Sequence, residues 1–192
     1  MQVESAESQE RAFETFIDLA GGRLLGPVEH VRRTCADLAE LFADQQALSQ
    51  LVRNGNPIVY DVYVARVSHQ AGRLLHGITT IYPGRVGREY FFTMGHYHRS
   101  PEASEVYVTI RGQGMLVLQR GELAEVLEMT PGKVWYVAPG WAHRTVNTSL
   151  SEPLVFFSVW PADAEHDYER LRREGIRRRV FDEGGRPVIV PA

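Results

Sequence analysis

Gly95-His96-Tyr97-His98, Glu105 and His143 are the residues of this chain with the clearest capacity for chemistry. Two histidines stand one residue apart, a glutamate follows the second by seven positions, and a third histidine lies 38 positions further on. Three imidazoles and a carboxylate suit a divalent cation such as Fe, Mn, Zn or Ni, with no thiolate in the set to favour a softer ion. In an octahedral shell, four protein ligands leave two positions open to water or substrate oxygens. His30, His69 and His76 have no visible partner in the sequence and read as packed or solvated side chains.

Such a site needs an extended scaffold. His96 and His98 share a face only if their segment is a strand, where side chains alternate with period two. Glu105 is expected to open the strand that pairs back after the intervening loop. Pro139-Gly140-Trp141-Ala142 is a turn able to deliver His143 to the same mouth from another strand. From Pro57 onwards, β-branched and aromatic runs alternate with Gly/Pro turns. They predict strands at 58–64, 74–82, 88–94, 105–110, 115–119, 124–129, 134–137, 144–147 and 154–160. Many short strands of this kind define an all-β sandwich or barrel. Upstream, 31–51 reads as a helical or turn-rich segment, with Asp37 or Asp44 as a cap, and Phe13, Phe16, Ile17 and Leu19 as one small apolar face. Residues 167–175 read as a helix, with short strands again at 178–181 and 187–190. The expected organisation is an N-terminal extension over 1–30, mobile over 1–12, and a single domain over 31–192.

Bulk properties narrow the partners. A net charge of −3 gives no reason to expect nucleic acid or an anionic membrane. The densest basic cluster, Arg170 to Arg179, is interleaved with Glu169 and Glu174 and reads as a solvated, salt-bridged face. A lone cysteine, Cys35, excludes an intrachain disulfide and reads as a buried, inert thiol. No apolar run reaches the roughly 18 residues of a membrane span, and the acidic, polar start lacks a signal core. A cytoplasmic protein is expected.

The metal constellation also carries a family resemblance. His96-x-His98, Glu105 and Gly112 resemble the first cupin motif, with Tyr90 where that motif usually opens on glycine. Gly132, Ala138-Pro139-Gly140, His143 and Asn147 resemble the second. The run from Tyr82-Pro83-Gly84 through Glu89-Tyr90-Phe91-Phe92-Thr93 to His98 is similar to the cupin-type glucose-6-phosphate isomerases of archaea and some bacteria. So are Glu105-Val106-Tyr107-Val108, Trp141 through Asn147, and Asp163-Ala164-x-His166-Asp167-Tyr168. The resemblance implies a cupin double-stranded β-helix, or jelly-roll barrel, with a few peripheral N- and C-terminal helices. It also implies a homodimer and interconversion of glucose 6-phosphate and fructose 6-phosphate. By it, His96, His98, Glu105 and His143 are the metal ligands and Glu105 is also the proton-transfer base. His166 is an acid/base near the sugar oxygens. Tyr60, Thr79, Thr93, the Gly95 backbone and Tyr168 map to the phosphate end of the substrate, and Tyr107 and Trp160 to the sugar pocket.

Trp160 departs from the pattern, standing where these isomerases commonly carry tyrosine; Glu165 and Ala138 replace a glycine and a proline. Other readings of the same residues are an isomerase or epimerase of another sugar phosphate, a cupin dioxygenase, or a non-enzymatic sugar-binding cupin. Thr79, Thr93, Tyr60 and Tyr107 suit plain strand packing as well as ligand contact. His166 suits a cap or surface role. Arg144 is placed either to meet a substrate anion or to pair with an acidic neighbour.

Overall fold

Strands far outweigh helices among the described residues. The computed structural model describes residues 12–192, so the expected mobile stretch 1–12 lies outside the described residues except for its last position. In chain order the elements begin with β1 (Phe16–Asp18), β2 (Arg23–Leu25), β3 (Val28–Thr34), a 3-10 turn (Ala36–Leu41), α1 (Gln45–Arg53), β4 (Ile58–Ala65), β5 (Leu74–Ile81), β6 (Arg85–Val86), β7 (Glu89–Tyr90) and β8 (Tyr97–His98). There follow β9 (Glu105–Arg111), β10 (Gly114–Arg120), β11 (Leu123–Met129), β12 (Val134–Val137), β13 (Ala142–Asn147) and β14 (Leu154–Pro161). The chain closes with β15 (His166–Asp167), α2 (Tyr168–Glu174), β16 (Arg178–Glu183) and β17 (Arg186–Pro191).

Two sheets face each other. One is a six-stranded antiparallel sheet in the order β12-β9-β14-β5-β4-β3; the other is β11-β10-β13. The second sheet is prolonged past β13 by the isolated bridges Phe92–Val146 and His96–His143. Period-two alternation turns Tyr60, Ile81, Tyr107 and Phe156 of the large sheet inward, against Leu116, Leu118, Met129 and Val146 of the small one. Each such side chain contributes roughly 1.5–3 kcal/mol on burial. Gly112 allows the β9–β10 turn: its φ is +82°, and a Cβ there would lie 2.2 Å from the Pro153 carbonyl oxygen.

Several expectations change. Residues 31–51 are not one helical segment: β3 takes the first part, and only Gln45–Arg53 is α-helix, capped by Asp44 accepting the Ala47 N–H at 2.9 Å. The strand was hidden because Glu29, His30, Arg32 and Arg33 give it the charged texture of a sheet edge. The boundary drawn at residue 30 therefore falls inside β3. Of the expected apolar face only Ile17 packs, beside Leu24 of β2, on the outer face of the large sheet with Ala65, Ile78 and Val155; Phe13, Phe16 and Leu19 are exposed. The single strand expected at 88–94 is instead a tight β6–β7 hairpin followed by a run that pairs with β13, the Phe91 carbonyl accepting the Asn147 N–H at 3.0 Å and the Thr93 N–H donating to the Thr145 carbonyl at 2.9 Å.

Candidate metal centre

Each candidate ligand is positioned by a different piece of backbone. Gly95, with φ +76°, turns the chain into the histidine segment; a Cβ there would press on Leu171 and Arg144 at 3.0 and 3.1 Å. His96 and His143 are tied directly, each donating its N–H to the other's carbonyl at 3.2 and 3.0 Å. Tyr97 points the opposite way from its histidine neighbours. It is fully buried, its hydroxyl donating to Glu174 Oε2 at 2.6 Å, so the alternation that orients His96 and His98 is anchored on both faces. Glu105 opens β9 as expected, but β9 pairs with β12 and β14. The histidine segment pairs instead with β15, which sets His166 opposite His98.

The donor atoms of His96, His98, Glu105 and His143 all lie within 4.8 Å of one another. His143 Nε2 and His98 Nε2 stand 3.1 and 3.3 Å from Glu105 Oε2. Yet none of these atoms, nor His96 Nε2, makes a directed hydrogen bond, although all are sealed from solvent. Buried polar atoms are normally paired; four that converge on one point without pairing have the geometry of ligands. The His98 and His143 Nδ1 atoms face the Ala103 and Trp141 carbonyls at 3.4 Å, which leaves Nε2 as the free lone pair. The residues therefore fit a divalent cation. Burial pushes the Glu105 carboxyl up, but His143 and His98 outweigh it and hold the pKa at about 2. Burial, reinforced by His143, His166 and His98, holds His96 well below its usual range.

His96, Glu105 and His143 line a cavity of about 230 Å³ with Tyr60, Thr79, Thr93, Gly95, Tyr107, Trp160, His166 and Tyr168 in its walls. His166 stacks on His96 with ring centroids 3.8 Å apart, and its Nδ1 shares a 2.9 Å hydrogen bond with the Tyr168 hydroxyl. Burial, chiefly, lowers its pKa to about 4, so the ring is neutral near pH 7. Burial raises Tyr60 to about 12, and burial with Glu105 nearby lifts Tyr107 well above its ordinary value. Thr93 Oγ1 accepts the Thr145 N–H at 3.0 Å, so its own proton remains available to donate. Trp160 is 8% exposed and packs with Leu75, Ala103, Ala162 and Ala164, forming a rigid stretch of wall.

The residue missed in the sequence is Arg33. It lines the same cavity from β3, with Val31. Its signal was the Val31/Arg33 alternation, legible only once 28–34 is known to be a strand.

Three histidines and one glutamate converging inside a barrel of two facing antiparallel sheets define a cupin with a candidate metal centre. Within that class the chain belongs to the glucose-6-phosphate isomerase (GPI) family, whose model matches residues 32–189. It is 44% identical over 181 residues to the glucose-6-phosphate isomerase of Thermococcus gammatolerans, covering 94% of each chain. It is 43% identical over 175 residues to that of Thermococcus onnurineus (91% of each chain) and 40% over 179 residues to that of Pyrococcus furiosus (93% of this chain, 94% of the relative).

Proposed function

We propose that the chain interconverts glucose 6-phosphate and fructose 6-phosphate in the cavity beside the candidate metal centre. The observation that carries this reading is the set of unpaired His96, His98, His143 and Glu105 donor atoms at the edge of a cavity whose walls include Arg33 and the Tyr60, Thr79, Thr93 and Tyr168 hydroxyls. The isomerases to which the chain is 40–44% identical support the choice of substrate. His96, His98, Glu105 and His143 would hold a divalent cation, which would supply Lewis-acid chemistry next to the substrate's reacting end; Fe, Mn, Zn and Ni all match the donors. The Arg33 guanidinium, the Tyr60, Thr79, Thr93 and Tyr168 hydroxyls and the Gly95 backbone hold the phosphate. Tyr107 and Trp160 flank the sugar. Glu105 takes the proton from C2 of the aldose and returns it to C1. His166, neutral and held by Tyr168, takes the proton of the C2 hydroxyl and passes it to the C1 oxygen, which completes the ketose. A hydride shift from C2 to C1 is the rival for the first transfer.

We read the protein as a cytoplasmic homodimer. Val106, Val134 and Tyr136, exposed neighbours on β9 and β12, offer an apolar face for a second copy.

The test is to strip and restore metal and follow fructose 6-phosphate in heavy water. Metal-dependent conversion with deuterium at C2 of the product is expected. Conversion that survives chelation overturns the metal-centred reading, and conversion without deuterium moves the first transfer to the hydride shift. Trp160 favours one second reading, a different sugar phosphate on the same centre. It predicts no turnover by the loaded protein until Trp160→Tyr restores the phenol.

A further inference from the structure

Arg144 follows a metal-ligand candidate but has no task in the isomerisation. It lines a separate cavity of about 180 Å³ on the α2 side of Met94 and Gly95, together with Arg172 and Arg179. Two of these three guanidiniums have carboxylates. Arg179 Nη1 donates to Glu89 Oε1 at 2.6 Å and to the Leu41 carbonyl at 2.9 Å. Arg172 pairs with Glu169 at 2.6 Å and lies 3.6 Å from Glu40. Arg144 has no carboxylate partner among the described residues. It is only 4% exposed, its Nη2 donates to the Met94 carbonyl at 2.9 Å, and its plane lies 4.3 Å over the Phe92 ring. Its Nε is buried without a hydrogen-bond partner among the described residues.

Glu89 is the carboxylate whose charge reaches Arg144, but Arg179 and the Ala43 N–H, at 2.8 Å, already occupy it. The wall thus sets one buried guanidinium, Arg144, and one half-buried one, Arg179, against a single carboxylate. An aromatic face and one carbonyl do not replace the missing counter-charge, because a buried cation is normally paired with an anion. The remaining donors of Arg144 form a planar fork suited to two oxygens of one anion. Arg172 has 47% of its side chain exposed, and its Glu40 partner 78%, so that long contact is easily exchanged for a ligand.

We propose that this cavity is a second anion site, taking a phosphate-sized oxyanion, free or as the phosphate group of a small ester, with Arg144 and Arg172 as its ligands. The site is distinct from the cavity in which substrate phosphate is placed above. It abuts that cavity through Met94, Gly95 and Tyr168, which line both. An occupant therefore braces the segment that leads into His96.

The test is equilibrium dialysis of labelled inorganic phosphate against the full, metal-loaded chain. Arg144→Met weakens this binding about tenfold or more, Arg144→Lys restores most of it, and Arg172→Gln weakens it several-fold. Arg33→Gln, on the metal cavity, leaves the Arg144-dependent binding in place. The proposal is overturned if Arg172→Gln, an exposed change that spares the fold, and Arg144→Met both bind phosphate as the parent does. It is equally overturned if Arg33→Gln alone abolishes binding. Displacement of bound phosphate by glycerol 3-phosphate identifies an ester as the ligand; its absence identifies the free anion.

Discussion

Two carboxylates are buried on opposite faces of the six-stranded sheet, and they are met in opposite ways. Asp61, on the outer face of β4, accepts from Arg32 Nε and Nη2 at 2.8 and 3.0 Å, from Tyr82 at 2.8 Å, and shares a 2.9 Å hydrogen bond with His30 Nε2. Glu105, on the inner face of β9, has two imidazole nitrogens within 3.3 Å, but its Oε2 makes no directed hydrogen bond. One group is surrounded by committed donors; the other faces imidazole nitrogens that lower its pKa when they carry protons and can ligate when they do not. A carboxylate with its donors in place stabilises the fold. One that faces uncommitted imidazole nitrogens is held there by the rest of the fold and is completed by a cation. Burial alone, nearly total for both, does not separate structure from function; the direction of the neighbouring atoms does.

Exchanging each carboxylate for its amide tests the contrast most severely. Glu105→Gln removes both a candidate metal ligand and the proposed base. Isomerisation should fall by about 10³-fold or more, with metal content reduced and the urea midpoint of the stripped protein unchanged or raised. Asp61→Asn should do the reverse. Turnover per folded molecule stays within about twofold, while stability drops by about 1–3 kcal/mol. That range is discounted because Arg32 and His30 are 49% and 39% exposed and recover water when the charge is lost. If Asp61→Asn lowers turnover as deeply as Glu105→Gln, the division between the two faces fails.

His166 refines the functional side. It lies against His96 but stands outside the ligand set. His166→Gln is expected to lower kcat by about 10²-fold with metal content intact. Loss of metal together with rate would make it a support for the centre, and a rate within threefold of the parent would remove it from proton transfer.

The inner face was more legible in the sequence than the outer one. Strand alternation places His96 and His98 together by local geometry alone, and β9, β10, β12 and β14 are compact β-branched runs with Gly/Pro stops. What the sequence hid depends on distant pairing. The two-residue strands β8 and β15 carry no period, so the meeting of His98 and His166 is invisible before folding. The charged edge strand β3 concealed Arg33 on its inner side and Arg32 and His30 on its outer side. Asp61 therefore read as an anonymous strand position. Arg144 was open between two roles, and its lack of a carboxylate depends on Glu89 being taken by Arg179 from the far end of the chain.

The smallest expected effect is a pH dependence that belongs to Asp61 alone. Burial pushes its carboxyl up, but the donors from Arg32, His30 and Tyr82 outweigh burial and hold the pKa below the ordinary carboxylate value. The unfolded chain then binds the proton more readily than the folded one, so stability rises with pH across that interval. The contribution is complete above the unfolded value near 3.8 and is lost as pH falls through the lower, folded value. Urea midpoints of the parent and Asp61→Asn should differ by a constant amount above about pH 5 and converge below about pH 4. Glu105 has a lowered pKa as well and adds its own slope. That slope cancels in the difference, because Asp61 and Glu105 share no partner and their effects should add. Repeating the series in a Glu105→Gln background should return the same gap. A gap that changes there would mean the two faces of the sheet are coupled, and that the outer cluster belongs to the support of the metal centre after all.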